Sequence, residues 1–342
     1  MPTIANGTGS AKVTMSYLEL EKKFSQFLGT RASVMVNTGT SALHIAIEAL
    51  QLPPNSKILV PEFTMYASAL AVHYARMTPV FVDCNDDLLI NLDLVEDLID
   101  EDTRVLMVTH VYGRVVDMTR VMQIAEKYNL RVIEDACEAH GACWEDKYVG
   151  TFDIGCFSFY RNKIVHAEEG GAVVSDDVEY LDIVRDMKSM SFGTTHNYYH
   201  ERIGFNYRMT DGQSEKILES LESIEANILK REKIKNIFND LVYKEAHMPD
   251  DRVVVWVYDF KHAHADQIVS DLKKLDIPAR HAFKPMSMMP LFRDVNNPHG
   301  YEKTLAYKKS QEVLYVHIDP EWSMETVKWV AKSINDVIKK NG

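Results

Sequence analysis

Packing alone does not account for the position of Lys163. It lies in residues 153–175, DIGCFSFYRNKIVHAEEGGAVVS: an apolar run (Ile154, Cys156, Phe157, Phe159), a polar turn at Arg161-Asn162, the lysine, and a return through Gly170-Gly171 into a second apolar run. A lysine between buried strands is rare unless something pairs with it or bonds to it. Desolvation lowers an ammonium pKa, leaving a fraction as neutral amine, and a neutral amine attacks a carbonyl to give a Schiff base. The same residue also fits a surface turn, so its company elsewhere in the chain must decide.

Two further stretches offer chemistry. A short β-rich run over 33–36 passes through Asn37-Thr38-Gly39-Thr40-Ser41 into a helix pattern over 42–50. Strand, small-residue turn and helix start aim free N–H groups and a positive dipole end at one spot, an anion site; an ordinary N-cap reads the same way. Asp135 closes an apolar strand in VIEDACEAHGA. It could cap the next helix, or hold a protonated heteroaromatic nitrogen, with Glu138 and His140 on the same wall.

The elements that must position these groups alternate. Strand patterns at 57–60, 79–82, 105–109 and 131–134 interleave with helix patterns at 65–76, 92–99 and 118–128. Near-continuous apolar strands in β/α alternation indicate a mostly parallel sheet covered on both faces. Ligands then sit beyond the strands' carboxyl ends, where Asp135 and the 38–41 turn both fall. Residues 177–187 form an amphipathic helix pattern; 191–207 are irregular and rich in His, Tyr and Asn; a long helix opens at Thr210. The reading gives an N-terminal arm (1–16), a large domain with the linking helix (17–240) and a smaller α+β domain (241–342). Residues 281–300 read as a loop, a linker or a flap over the crevice.

The 342 residues, 46% hydrophobic and 26% charged, suit a soluble protein with a large core. A net charge of -12 disfavours nucleic acid without excluding a small anion. Cys84, Cys137, Cys143 and Cys156 show no disulfide or CxxC spacing, so reduced thiols in a cytoplasmic protein are expected. The thirteen histidines are scattered, so no metal is expected, and no run reads as a membrane span or signal segment.

Taken together, NTGTSALHIAIEAL, VPEFTMYASA, HVYGRVVDM, VIEDACEAHGA, FSFYRNKIVHAEEGG, GFNYRMTDGQSEKILESLE and RHAFKPMSMMP resemble, in order, the DegT/DnrJ/StrS family of sugar aminotransferases. The resemblance runs from about residue 17 to 339. It implies the pyridoxal-phosphate-dependent transferase fold of the aspartate aminotransferase type. It implies Lys163 as the Schiff-base lysine and later proton shuttle, and Asp135 as partner of the pyridinium nitrogen. Gly39, Thr40 and Ser158 would bind the cofactor phosphate, and Met65 and Glu138 would lie against the cofactor. Asn206 would reach the phosphate of a neighbouring subunit's cofactor, making the enzyme a homodimer. His196, Arg208 and Lys284, with Arg280 and His200, are candidate contacts to substrate.

The implied reaction is ping-pong. L-glutamate would convert the cofactor to pyridoxamine 5'-phosphate, and the amine would pass to a nucleotide-linked keto-sugar. The FYRNKI version of the lysine stretch is most like members acting at C4 of a 4-keto-6-deoxy sugar, of the perosamine or viosamine type. Three departures touch the pocket: Glu168 where the family has glycine, Met65 where an aromatic often stacks, and Ser287 where many relatives carry His. A cofactor-dependent sugar dehydratase would carry His at position 163. A catalytically silent regulatory relative is the remaining alternative.

Overall fold

The computed structural model describes residues 16–193, 198–249, 253–293, 295 and 300–342. The first part of the chain folds as α1 (Ser16–Leu28), β1 (Ala32–Val36), α2 (Gly39–Ala49), β2 (Lys57–Pro61), α3 (Tyr66–Tyr74), β3 (Thr78–Val82) and β4 (Thr103–Thr109). Then come α4 (Met118–Tyr128), β5 (Arg131–Asp135), a small hairpin β6 (Cys143–Trp144) and β7 (Lys147–Tyr148), β8 (Ile154–Ser158), β9 (Gly171–Ser175) and α5 (Val178–Met187). One seven-stranded sheet has the order β1-β9-β8-β5-β4-β2-β3. Only β9 runs against the rest, pairing antiparallel with both β1 and β8. The connection from β8, residues 159–170, holds no helix and returns through Gly170 into the neighbouring antiparallel strand.

The strands are buried on both faces, as their unbroken apolar runs require. One face packs on α2, α3 and α5 through residues such as Ile45, Val72 and Val184. The other splits between a cluster around α4 and a cluster holding Phe24 of α1 against Phe157 and Phe159. Residues 92–99 do not form the expected helix. They make turns with a single 3-10 turn at Glu96–Leu98, in which none of the three residues is buried. Leu92 and Val95 reach the core from these turns, so their burial does not require a helix.

The second part comprises α6 (Asp211–Glu222), α7 (Ile224–Leu241), β10 (Val257–Lys261), α8 (Ala265–Lys273), β11 (Ala279–His281), α9 (Leu305–Glu312), β12 (Val313–His317) and α10 (Met324–Asn341). Three strands make an antiparallel sheet in the order β10-β12-β11. The linking helix expected from Thr210 is two helices, broken at Ser223. Thr210 and Gln213 form a reciprocal capping box at the start of α6. Helix α7 joins the two layers: Ile224 and Ile228 near its start pack in the large-layer cluster with Phe157 and Phe159, and Ile234 and Phe238 pack with β10, β12, α8 and α10.

Among its described residues the 281–300 stretch is not a free linker, because it packs on the larger layer. The Met286 N–H donates to the Glu62 carbonyl at 3.0 Å, and Met286 and Phe292 are buried against the large sheet's helices. No described helix is long and apolar enough to cross a membrane.

Candidate active site

Strand β5 delivers Asp135 to its carboxyl end, 3% exposed. Both carboxylate oxygens accept hydrogen bonds: Oδ2 from the Ser68 hydroxyl at 2.7 Å, Oδ1 from the Cys137 N–H at 3.2 Å. Ser68 is itself tied through Thr64 to Thr109 at the end of β4. The carboxylate is thus fixed in direction by three elements.

Lys163 is 8% exposed, in the turn between β8 and β9. Its N–H donates to the Tyr160 carbonyl at 2.8 Å, which shapes the turn. The Nζ lies 3.5 Å from Glu138 Oε1 and 3.9 Å from the centre of the Trp256 ring. Glu138 Oε2 accepts the Tyr112 N–H at 3.0 Å. Tyr112 presents that N–H from a left-handed backbone, φ 57°, while fully buried; a non-glycine residue adopts this only when its surroundings compensate. Burial lifts the Glu138 carboxyl to about 7, against the opposing pull of Lys163 and the Tyr112 N–H.

The 38–41 turn begins α2, with Thr38 capping the helix through a hydroxyl that accepts the Ser41 N–H at 3.0 Å. Gly39 lies against Ser158 at the end of β8. A Cβ on Gly39 would stand 2.6 Å from Ser158 Cβ, and one on Gly171 would stand 2.2 Å from the Thr38 carbonyl oxygen. The two glycines therefore let the helix start, β8 and β9 close together.

These groups line one cavity of about 600 Å³. Thr38, Gly39, Thr40 and Ser158 form one part of its wall; Asp135, Glu138, Lys163 and Met65 also face it. A molecule with an anionic end, an aromatic ring nitrogen and an aldehyde suits this set. Helix-start N–H groups and hydroxyls suit the anion, a fixed carboxylate the nitrogen, and an amine the aldehyde. The residues present fit pyridoxal phosphate.

Of the remaining sequence candidates, Met65 and Arg280 line the cavity and the other described ones do not. Met65 faces the cavity half-exposed, while Tyr66 packs on Phe292. Asn206 and Arg208 are exposed and line no part of the cavity. Lys284 donates to the Ser310 carbonyl at 3.1 Å, outside the cavity, whereas Arg280 does line it. His200 bonds the Met190 carbonyl, and His196 lies outside the described residues. His140 does not share the Glu138 wall. It is buried against Phe157 and Phe159 behind the sheet, where burial pushes its imidazole down to about 3. Glu168 is accommodated at negative φ and points outward, with Arg161 and Lys216 at 4.0 and 3.7 Å. Ser287 donates to the buried Glu62 carboxylate and does not line the cavity.

The far wall, Trp256, Phe283, Tyr315 and His317, was not anticipated. Trp256 is oriented by its indole N–H, which donates to the Asn162 carbonyl at 2.8 Å. Burial, then Arg280, Lys163 and Arg231, pushes His317 down to about 4.

Known proteins resemble the chain in both sequence and fold. The chain is 34% identical over 288 residues to GDP-perosamine synthase of Caulobacter vibrioides, covering 80% of this chain and 77% of that protein. It is 31% identical over 327 residues to GDP-perosamine synthase of Escherichia coli O157:H7, covering 93% and 89%. Among solved structures, S. venezuelae DesV in complex with a ketimine intermediate superposes with a TM-score of 0.86 at 26% identity, covering 94% of this chain and 88% of that one. The fold is the one the sequence resemblance implies. With residues 7–335 matching it, the chain belongs to the DegT/DnrJ/EryC1/StrS aminotransferase family.

Proposed function

We propose that this aminotransferase moves the amino group of L-glutamate to C4 of a nucleotide-linked 4-keto-6-deoxyhexose, using pyridoxal phosphate, and that it works as a homodimer. The observation that carries the reading is the meeting of a buried lysine, a fixed aspartate and a helix start in one cavity. The names of the two perosamine synthases support a nucleotide-sugar substrate.

Bound pyridoxal phosphate supplies an electron sink through which an amino group and a carbon-bound proton can be exchanged. The chain's own residues supply the rest. Lys163 would hold the cofactor aldehyde, and its amine would serve as the positioned acid/base. Asp135, aimed by Ser68 and the Cys137 N–H, keeps the ring nitrogen protonated. The first turn of α2, with Thr40 and Ser158, takes the phosphate. Glu138 sets the charge beside Lys163. Asn206 is exposed and lines no part of its own cavity, which suits the role of reaching a second subunit's phosphate.

The dehydratase alternative finds no support in the geometry. His166 bonds the Ser220 hydroxyl through its N–H and does not line the Lys163 cavity. The test is a screen of nucleotide keto-sugars with labelled L-glutamate, read by mass spectrometry. Amine transfer to a 4-keto-6-deoxyhexose is expected; ketone formation without a donor would overturn the proposal.

A further inference from the structure

A second cavity of about 570 Å³ adjoins the first, with Asn162 and His317 lining both. Its walls are the turn at Arg161, the first turns of α7 from Ser223 to Arg231, and the loop from β12 to α10, with Asp319, Glu321 and Trp322. Arg231 is 3% exposed. Its Nε–H donates to Asn227 Oδ1 at 2.8 Å and its Nη1 to the Trp256 carbonyl at 2.9 Å. Both acceptors are neutral. Among the described residues no carboxylate lies within 4.0 Å of this guanidinium; Asp319 acts on it from farther off, and Asp319 is itself exposed. Nη2 has no acceptor among the described residues.

A buried guanidinium without a counter-charge is costly, and its planar fork suits a carboxylate or phosphate. The surroundings favour the same occupant. Arg161 stands at the rim, 4.0 Å from Glu168 and over the Tyr160 ring, and His166 and Lys230 line the same space. Two carboxylates also line it, but Glu321 is taken by Lys230 at 2.6 Å and Asp319 accepts the Glu321 N–H at 2.9 Å.

We propose that this cavity is an oxyanion site centred on Arg231, taking a carboxylate or phosphate group. The cavity is separate from the helix-start phosphate cradle. With Asn162 and His317 lining both spaces, it lies beside the acidic end of a molecule in the Lys163 cavity. That last clause rests on the proposed function; the oxyanion site itself does not.

The test uses the enzyme loaded with cofactor, so that the α2 cradle is filled, and calorimetric titration with inorganic phosphate and with glutarate. The cofactor's visible band verifies loading separately from the titration. Binding of either probe, weakened at least tenfold in Arg231→Gln and partly kept in Arg231→Lys, is the expected result. A two- to threefold loss is expected in the exposed Arg161→Gln, which leaves the fold alone. Glutarate alone would assign the site to a donor carboxylate, phosphate alone to a phosphate-bearing substrate, and both to a general oxyanion site. No binding by the loaded wild type, or binding unchanged in both Arg231→Gln and Arg161→Gln, overturns the proposal.

Discussion

The Nζ of Lys163 stands 3.5 Å from Glu138 Oε1 and 3.9 Å from the centre of the Trp256 ring. The amine is held between a carboxyl group and an indole face. Glu138 is the adjustable one, because burial has lifted its carboxyl to about 7. Near neutral pH the lysine therefore faces a group that changes charge. Glu138→Gln keeps the shape and an acceptor for the Tyr112 N–H but removes that titration. In the loaded wild type a transition near pH 7 is expected in the cofactor's absorbance and in kcat; in Glu138→Gln it should be gone. A transition that persists in the variant would mean another group is responsible.

Lys163→Ala removes the amine without touching the phosphate cradle. Amine transfer should fall by about a thousandfold or more, given what a positioned acid/base group contributes. The visible band of lysine-held cofactor should be missing while circular dichroism stays unchanged. A variant that retains transfer would remove Lys163 from the reaction.

Gly39→Ala puts a Cβ 2.6 Å from Ser158 Cβ and 3.2 Å from Ser158 Cα, so backbone must move. Overpacking of this kind costs about 1–3 kcal/mol. It also displaces the N–H groups that face the phosphate, so cofactor affinity should fall more than in Thr40→Ala, which only removes a hydroxyl. Fluorescence titration of the apo-protein with cofactor compares the two; equal losses would place the phosphate elsewhere.

Glu62 ties β2 to the 286–288 turn. Its carboxylate accepts from the Ser287 hydroxyl and N–H, and its carbonyl accepts the Met286 N–H. Burial raises its carboxyl to about 7, the Ser287 bonds opposing. The raised value means the folded chain binds the proton more tightly than the unfolded chain does. This stabilisation is complete below the unfolded value near 4.5 and is lost as pH rises through 7. The loss is at most on the order of 3 kcal/mol, from 2.3RT per unit. Denaturant unfolding at pH 5 and pH 8 should show a smaller pH difference in Glu62→Gln than in wild type.

Arg114 and Asp259 form a wholly buried ion pair at 2.8 Å between the end of β4 and strand β10. Breaking such a pair from one side strands the other charge and costs about 3–5 kcal/mol. Asp259→Ala should lose that much in chemical denaturation. Arg114→Met combined with Asp259→Leu should recover most of it, because no charge is then left buried alone.

The sequence by itself determined what is local. Alternating apolar strands and helix stripes fixed a mostly parallel sheet, and with it the carboxyl-end edge where Asp135 and the 38–41 turn had to emerge. Lys163 was legible because a lysine between two apolar strands has few ordinary reasons to be there. What only the tertiary structure decided is which distant segments meet at that edge. Trp256, Phe283, Tyr315 and His317 close the cavity from the other layer, 93 or more positions beyond Lys163 in the chain. A strand's period says which side chains share a face, but not which sheet or cavity that face will meet. For the same reason His140, two residues from Glu138, belongs to the core, and α7 begins on the larger layer and ends on the smaller. Periodicity orients a side chain on its own element, and only packing chooses its neighbours.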